Sequence, residues 1–310
     1  MEGILKLLLY QPERDHDAVI KMLSKESFAL EQFLTREKQG CDIMWIGCHH
    51  GEIVGVLSHG SRYKRTKFVE YITPKYRNHG FGTLLFQKAE EYFSQNEWTE
   101  RVLCTFPGED TLTERFLRKQ GFYRYCTLYD MEYSGVQLPE ASYTIRSYED
   151  IDFNAYNDLA NSAFWIMRNK VGMSPNYYQS LGESDRTYMK EHAQDCFVLL
   201  EDKMVVAIAK IGGNELSVLA VRPDKQNKGF GRLLASHSIN EIRSRGNERV
   251  TLKCVEGNPA YNLYRSLGFQ VVGKQHEYIK YYLPESRPAS HEYLTTEEAF
   301  IQQFREYGRL

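Results

Sequence analysis

Residues 226–231 read QNKGFG, and residues 77–82 read RNHGFG. Each hexapeptide follows an apolar run closed by a proline, Pro223 or Pro74, and opens an amphipathic stretch. In a strand–loop–helix unit of this kind, the first helical turn leaves backbone N–H groups without acceptors. The helix dipole adds partial positive charge at the same place. The glycines remove side chains, so a ligand can approach the backbone closely. Together these features make an anion cradle suited to a pyrophosphate. It is not a nucleotide P-loop, because no Gly-Lys-Ser/Thr follows. A dinucleotide fold would place its glycines after the first strand of a βαβ unit. Here the loop follows a hairpin and a further strand, which predicts a mixed sheet.

The elements that must hold these loops recur with them. Gly82 and Gly231 stand 149 residues apart, and the closing KQGF and SLGF echo at nearly the same offset. Two homologous domains follow, not a short-period solenoid. In the second half, CFVLLED and VVAIAKIGG read as a hairpin, and ELSVLAVRP as a strand. A helix then carries Phe230, Leu233, Leu234 and Ile242, with Gly246 at its C-cap. RVTLKCV is a strand, NPAYNLYRSLGF a short helix and YIKYYL a closing strand. The first half repeats this order with DIMWIGCHHGEIVGVLSHG, KFVEYITP, RVLCTF and LTERFLRKQGF. Its main helix stripe is Phe81, Leu84, Leu85, Ala89, Tyr92 and Phe93. Residues 134–142, SGVQLPEAS, read as the linker. The division expected is 1–138, 139–284 and a tail at 285–310. The tail reads as a helix capped by Thr296 that packs Phe300, Ile301 and Phe304 on the body. The aromatic stretch 164–195 (Phe164, Trp165, Tyr177, Tyr178, Tyr188) stands outside the repeat and is expected to shape a substrate pocket.

Composition narrows the partners. The chain has 310 residues, 42% hydrophobic and 26% charged, with net charge -2. That is an ordinary globular composition, without the basic footprint of a nucleic-acid binder. The local cluster Arg62, Lys64, Arg65 and Lys67 reads as a solvated hairpin tip. Six cysteines without a Cys-x-x-Cys pair predict reduced, mostly buried thiols, a cytoplasmic protein and no metal centre. The apolar run Ile4–Leu9 is too short for a membrane span or a signal peptide.

LAVRPDKQNKGFGRLL and NPAYNLYRSLGF resemble two motifs of the GNAT (GCN5-related) N-acetyltransferases, and both halves carry the pattern in register. The resemblance implies an α/β fold with a mixed sheet in two tandem GNAT acyl-CoA N-acyltransferase domains, their central strands splayed. It implies acetyl-CoA as cofactor, its pantetheine arm on the backbone near Leu219 and Val221. The pyrophosphate would sit on the amides around Gln226, Asn227, Lys228, Gly229, Phe230, Gly231 and Arg232. Asn258 would contact the cofactor. Tyr264, four residues before Gly268, would be the acid for the departing thiolate, and Glu215 the general base. Such a base matters, because deprotonating a lysine-like amine at neutral pH costs roughly 4–5 kcal/mol.

The first half departs at these positions. Thr66 stands for Glu215, Thr111 for Asn258 and Leu117 for Tyr264, and leucine cannot donate a proton. Glu70 lies on the strand opposite Leu219, out of the base position. Arg77, Gly80 and Gly82 keep the anion loop. The expectation is an acetyl transfer to a small-molecule or peptide primary amine in the second half, by a monomer or homodimer. The alternatives are a non-catalytic acyl-CoA-binding module, or a mycothiol-synthase-like or aminoacyl transferase. The absence of net basic charge disfavours one that uses aminoacyl-tRNA.

Overall fold

The structure, a computed structural model, describes residues 5–39, 43–62, 65–96, 99–139, 143–173 and 182–282. The proposed tail helix, Tyr177 and Tyr178 lie outside these residues. The fold is mixed α/β and comprises two compact units.

The first unit holds the described residues up to Tyr125 and those from His276 onward. Its elements are β1 (Lys6–Leu9), α1 (Pro12–Leu23), α2 (Ser27–Gln39), β2 (Ile43–His49), β3 (Glu52–Arg62) and β4 (Arg65–Ile72). After the hexapeptide come α3 (Phe81–Gln95), β5 (Arg101–Pro107), α4 (Thr111–Lys119) and the start of β6 (Tyr123–Tyr133). Helix α1 begins at Pro12, where a missing N–H costs nothing, and Asp15 accepts from the Gln11 amide at 2.8 Å. Val19 and Leu23, one turn apart, bury one stripe of α1. On α3, Leu85, Ala89 and Phe93 repeat every four residues and are buried, whereas Leu84 lies off the stripe and is exposed. The 10–39 helical pair went unassigned in the sequence reading.

The second unit runs from Cys126 to Gln275 among the described residues. It contains β7 (Thr144–Ser147), α5 (Phe153–Lys170), α6 (Glu183–Glu191), β8 (Cys196–Glu201), β9 (Met204–Gly212) and β10 (Glu215–Val221). Then follow α7 (Phe230–Ser244), β11 (Val250–Val255), α8 (Ala260–Leu267) and β12 (Gln270–Tyr281). The described part of the aromatic stretch forms the end of α5 and all of α6.

The units divide the chain differently from the 1–138 and 139–284 expectation. Strand β6, the last strand of the first repeat, pairs with β11 from Val250↔Tyr133 to Val255↔Leu128, in the second unit. Residues from His276 onward, in the last strand of the second repeat, belong to the first unit. The repeats have exchanged their closing strands. Hydrophobic burial explains the exchange on both sides. Met131 and Tyr133 enter the core of the second unit, while Tyr278 packs with Val102, Phe106 and Phe122 in the first.

A polar clasp holds the exchanged strand in the first unit. The Tyr278 hydroxyl donates to Glu114 at 2.6 Å, and Arg118 and Arg124 each donate to the same carboxylate at 3.0 Å. These hydrogen bonds, that of Tyr278 first, pull the Glu114 pKa down to about 2. A depressed folded-state pKa gives stability that is present above the ordinary carboxylate range and is lost as pH falls toward 2. Glu114→Gln is therefore expected to cost about 1–2 kcal/mol at pH 7, discounted for its partial exposure. At pH 3 the difference should shrink. Urea denaturation at the two pH values checks this, and an equal cost at both would exclude a charge-dependent clasp.

Candidate active site

Both hexapeptide loops adopt the same backbone. Asn78 and Asn227 have φ of 64° and 62°, and the next glycines, Gly80 and Gly229, have φ of 80° and 88°. Those two glycines are the N-caps of α3 and α7. Positive φ costs glycine little and asparagine less than most residues, which explains both choices. The first residue of each loop braces it from behind. Gln226 Nε2 donates to the Val221 carbonyl at 3.2 Å, and Arg77 Nε donates to the Ile72 carbonyl at 2.8 Å. These side chains thus tie the loop to the strand, and the exposed Asn227, Lys228 and Gly229 form its open rim. Phe230 is buried in the core, so only its backbone can face a ligand. The Arg232 guanidinium donates to the Ser266 hydroxyl of α8.

Gly231 sits where space is tight. A Cβ there would lie 3.3 Å from Leu263 Cδ2 and 3.4 Å from Val221 Cγ2. In the first unit, a Cβ on Gly82 would come within 3.0 Å of Glu70 Oε1. The residues present therefore fit a pyrophosphate group: a close helix-to-strand approach, open first-turn amides and, in the second loop, a cation at Lys228.

In each unit the strands fork where such a ligand would continue. Parallel pairing between β4 and β5 covers Arg65↔Arg101 to Lys67↔Leu103, and between β10 and β11 it covers Glu215↔Thr251. Beyond these registers, among the described residues, Leu219 and Val221 are paired only on the β9 side. Their other edge offers backbone donors and acceptors to an amide-bearing chain.

Tyr264 of α8 packs in the core of the second unit, its ring centroid 5.9 Å from that of Phe269. Burial, with the nearby Cys254 thiol, raises its pKa, so its hydroxyl keeps its proton. That hydroxyl makes no hydrogen bond among the described residues. Glu215 is half-buried at the start of β10, beside the bulge between Leu216 and Val218. No hydrogen bond or ion pair joins Glu215 to Tyr264. Asn258 Oδ1 accepts from the Ala260 amide at 2.9 Å, so it caps α8. Its side-chain nitrogen makes no hydrogen bond among the described residues and is available to a ligand.

The first unit holds a feature that sequence reasoning missed. A cavity of about 510 Å³ opens beside its fork, lined in part by Glu70, Ile72, Arg77, Gly82, Cys104 and Leu117. Both Glu70 carboxyl oxygens are shut off from solvent and have no partner. Burial raises the Glu70 pKa well above the usual carboxylate range. The available signal was alternation: Phe68, Glu70 and Ile72 share one strand face, and Phe68 and Ile72 belong to the core.

Two family models match the chain. Residues 11–122 match the acetyltransferase (GNAT) family, and residues 200–279 match the FR47-like protein family. A mycothiol acetyltransferase of Thermobifida fusca is 45% identical over 58 residues, which span 18% of this chain and 18% of that relative. The matched stretch is thus a small part of that protein. A solved GCN5-related N-acetyltransferase from Sphaerobacter thermophilus aligns with TM-score 0.70 at 17% identity, covering 90% of this chain and 96% of that one. A tandem GNAT protein from the clavulanic acid biosynthesis pathway aligns with TM-score 0.62 at 13% identity, covering 91% and 99%. With a cradle and a forked sheet in each unit, and a family model on each half, the chain belongs to the GNAT family as a tandem member.

Proposed function

We propose that the chain is an N-acetyltransferase that moves acetyl from acetyl-CoA to a primary amine in its second unit. The observation that carries this reading is Tyr264: a core tyrosine whose hydroxyl keeps its proton and bonds to no described residue, on the helix behind the QNKGFG cradle. Acetyl-CoA supplies an activated acyl group and a thiol that can leave. Amides of the first turn of α7 and Lys228 hold the anionic end of the cofactor. The free edge of β10 at Leu219 and Val221 orients the arm and polarises the acyl oxygen. Glu215, through water, takes the proton of the incoming ammonium, and Tyr264 holds the proton that the thiolate needs. Asn258 fixes the start of α8 and offers its free amide nitrogen to the cofactor.

The acceptor class is a small-molecule or peptide amine. Similarity to a mycothiol acetyltransferase puts a mycothiol-type amine on the panel to be tried. The thiols Cys104, Cys196 and Cys254 form no disulfide and are buried, which supports a reducing compartment such as the cytoplasm. No described helix is long and apolar enough to cross a membrane. A purely regulatory acyl-CoA binder is the alternative, and it has no use for an unpaired acid hydroxyl in its core.

Calorimetric titration with acetyl-CoA tests the cradles. The intact chain is expected to bind two equivalents, and Gly231→Trp one, because the indole collides with Leu263 and Val221. If Gly231→Trp still bound both, the QNKGFG loop would not be a cofactor site.

A further inference from the structure

Unit 1 retains the loop, the fork and a cavity, but its helix α4 carries Leu117 where α8 carries Tyr264. Leu117 is buried in the core and brings no proton. Glu70 offers a replacement. Register places Glu70 opposite Leu219 in the repeat, three residues past the last β4–β5 pair, Lys67↔Leu103. That is where the free strand edge would meet the reacting end of an acyl-pantetheine arm. The side chain points to the α3–α4 side, since its carboxyl lies against Gly82 and near Phe116. In the second unit the acid tyrosine stands on the corresponding helix.

We propose that unit 1 is a second acyl-transfer site, in which the carboxyl of Glu70 gives the departing thiolate its proton. This rests on the reading that each cradle takes acetyl-CoA. The step balances without another reagent. The amine nitrogen forms a bond to the acyl carbon, the C–S bond breaks, and its electron pair goes to sulfur. Glu70 passes its proton to that sulfur, and the new carboxylate recovers a proton from the attacking nitrogen through water.

The surroundings suit this role. A buried carboxyl without a partner is costly, so it persists where a bound group completes it. A carboxyl kept neutral by an apolar site can hold a donatable proton at neutral pH. The titratable groups around the cavity are Glu26, Arg77, Cys104, Asp110, Arg115 and Lys119, and none bonds to Glu70. Arg77 is engaged with the Ile72 carbonyl and lies over the Tyr71 ring, with 5.4 Å to the centroid. Asp110 is engaged with Thr113. Burial keeps the nearby Cys104 thiol protonated, so it brings no charge to Glu70.

The test uses the full chain carrying Gly231→Trp, so that acetyl-CoA can reach only unit 1. Infrared difference spectra with and without acetyl-CoA read the carboxylic-acid carbonyl band. Binding is expected to shift one such band, and Glu70→Gln to remove it while one equivalent still binds. Thiol release from acetyl-CoA with a panel of primary amines is the second reading. Glu70→Gln is expected to lower it roughly 10²-fold. The parent rate should fall as pH rises through the elevated pKa of Glu70, and that limb should vanish in the glutamine variant. If the Gly231→Trp chain bound no acetyl-CoA, the reading of unit 1 as a cofactor site would fall. If it bound acetyl-CoA with no band shift, with no turnover of any amine, or with full turnover in Glu70→Gln, the assignment of Glu70 would be overturned. The infrared arm needs no substitution in the cavity, so it stands even if Glu70→Gln folds poorly.

Discussion

Tyr264→Phe is expected to lower kcat of the second unit roughly 10²-fold while leaving acetyl-CoA affinity within a factor of about two. The phenylalanine keeps the ring that packs against Phe269 and the wall of Leu252 and Cys254. Only the hydroxyl is lost, and that hydroxyl bonds to no described residue. The loss therefore leaves no protein group unsatisfied, and stability should change little. A factor of 10² corresponds to about 2.7 kcal/mol of transition-state stabilisation. Loss of a proton that is delivered only as the thiolate departs lowers kcat without moving KM. The pH profile adds a second check. Burial raises the Tyr264 pKa, so the acid stays protonated across the usual assay range. A limb below pH 9 is therefore not expected from Tyr264. Steady-state rates in the Glu70→Gln background isolate the second unit. Unchanged kcat in Tyr264→Phe would make the tyrosine a packing residue and remove the observation on which the proposed chemistry stands.

The two cradles were legible in the sequence because their physics is local. Positive φ at Gly80 and Gly229 and tight space at Gly82 and Gly231 are demands of single positions, and glycine answers each of them. The strand–loop–helix order followed from periodicity for the same reason. The sequence marks Asn258 as a cofactor contact, while its bond to the Ala260 amide at the start of α8 depends on the local backbone. The role of Glu70 is not legible in the sequence, because alternation shows which face a residue takes and not whether a partner waits there. Its lack of one is a property of β5, α3 and α4 together. The strand exchange was out of reach for a related reason. YIKYYL reads as a strand from its own composition, yet nothing in those six residues tells which distant edge accepts it. Arg77 and Gln226 show the limit from the other side. Their types suggested ligand contact, and the structure adds a role that no residue type announces, a brace from loop to strand.

The exchange makes a strong demand on the isolated halves. Residues 1–138, produced alone, are expected not to reach the native state of unit 1. That fragment lacks Tyr278, which is fully buried among Val102, Phe106 and Phe122. Removing one buried aromatic side chain costs roughly 3–5 kcal/mol, against a total stability of about 5–15 kcal/mol for a typical domain. The fragment also loses the Glu114 clasp and the Lys280 contacts to Glu90 and the Gln120 carbonyl, and it leaves β5 as an open edge. Residues 139–282 alone have the converse defect, since Met131 and Tyr133 of β6 are missing from their core. Refolding the fragments together should restore cooperative unfolding, with a midpoint that depends on concentration. A first fragment extended past residue 138 by a flexible linker and residues 276–282 should fold without its companion. Urea unfolding followed by tryptophan emission reads all four samples, because Trp45 lies in the first core and Trp165 in the second unit. Cooperative unfolding of 1–138 alone, at the midpoint of unit 1 in the intact chain, would mean that the closing strand contributes little. A fold that needs strands from both repeats requires the first repeat whatever chemistry its own site performs: β6 is a structural part of the unit that carries Tyr264.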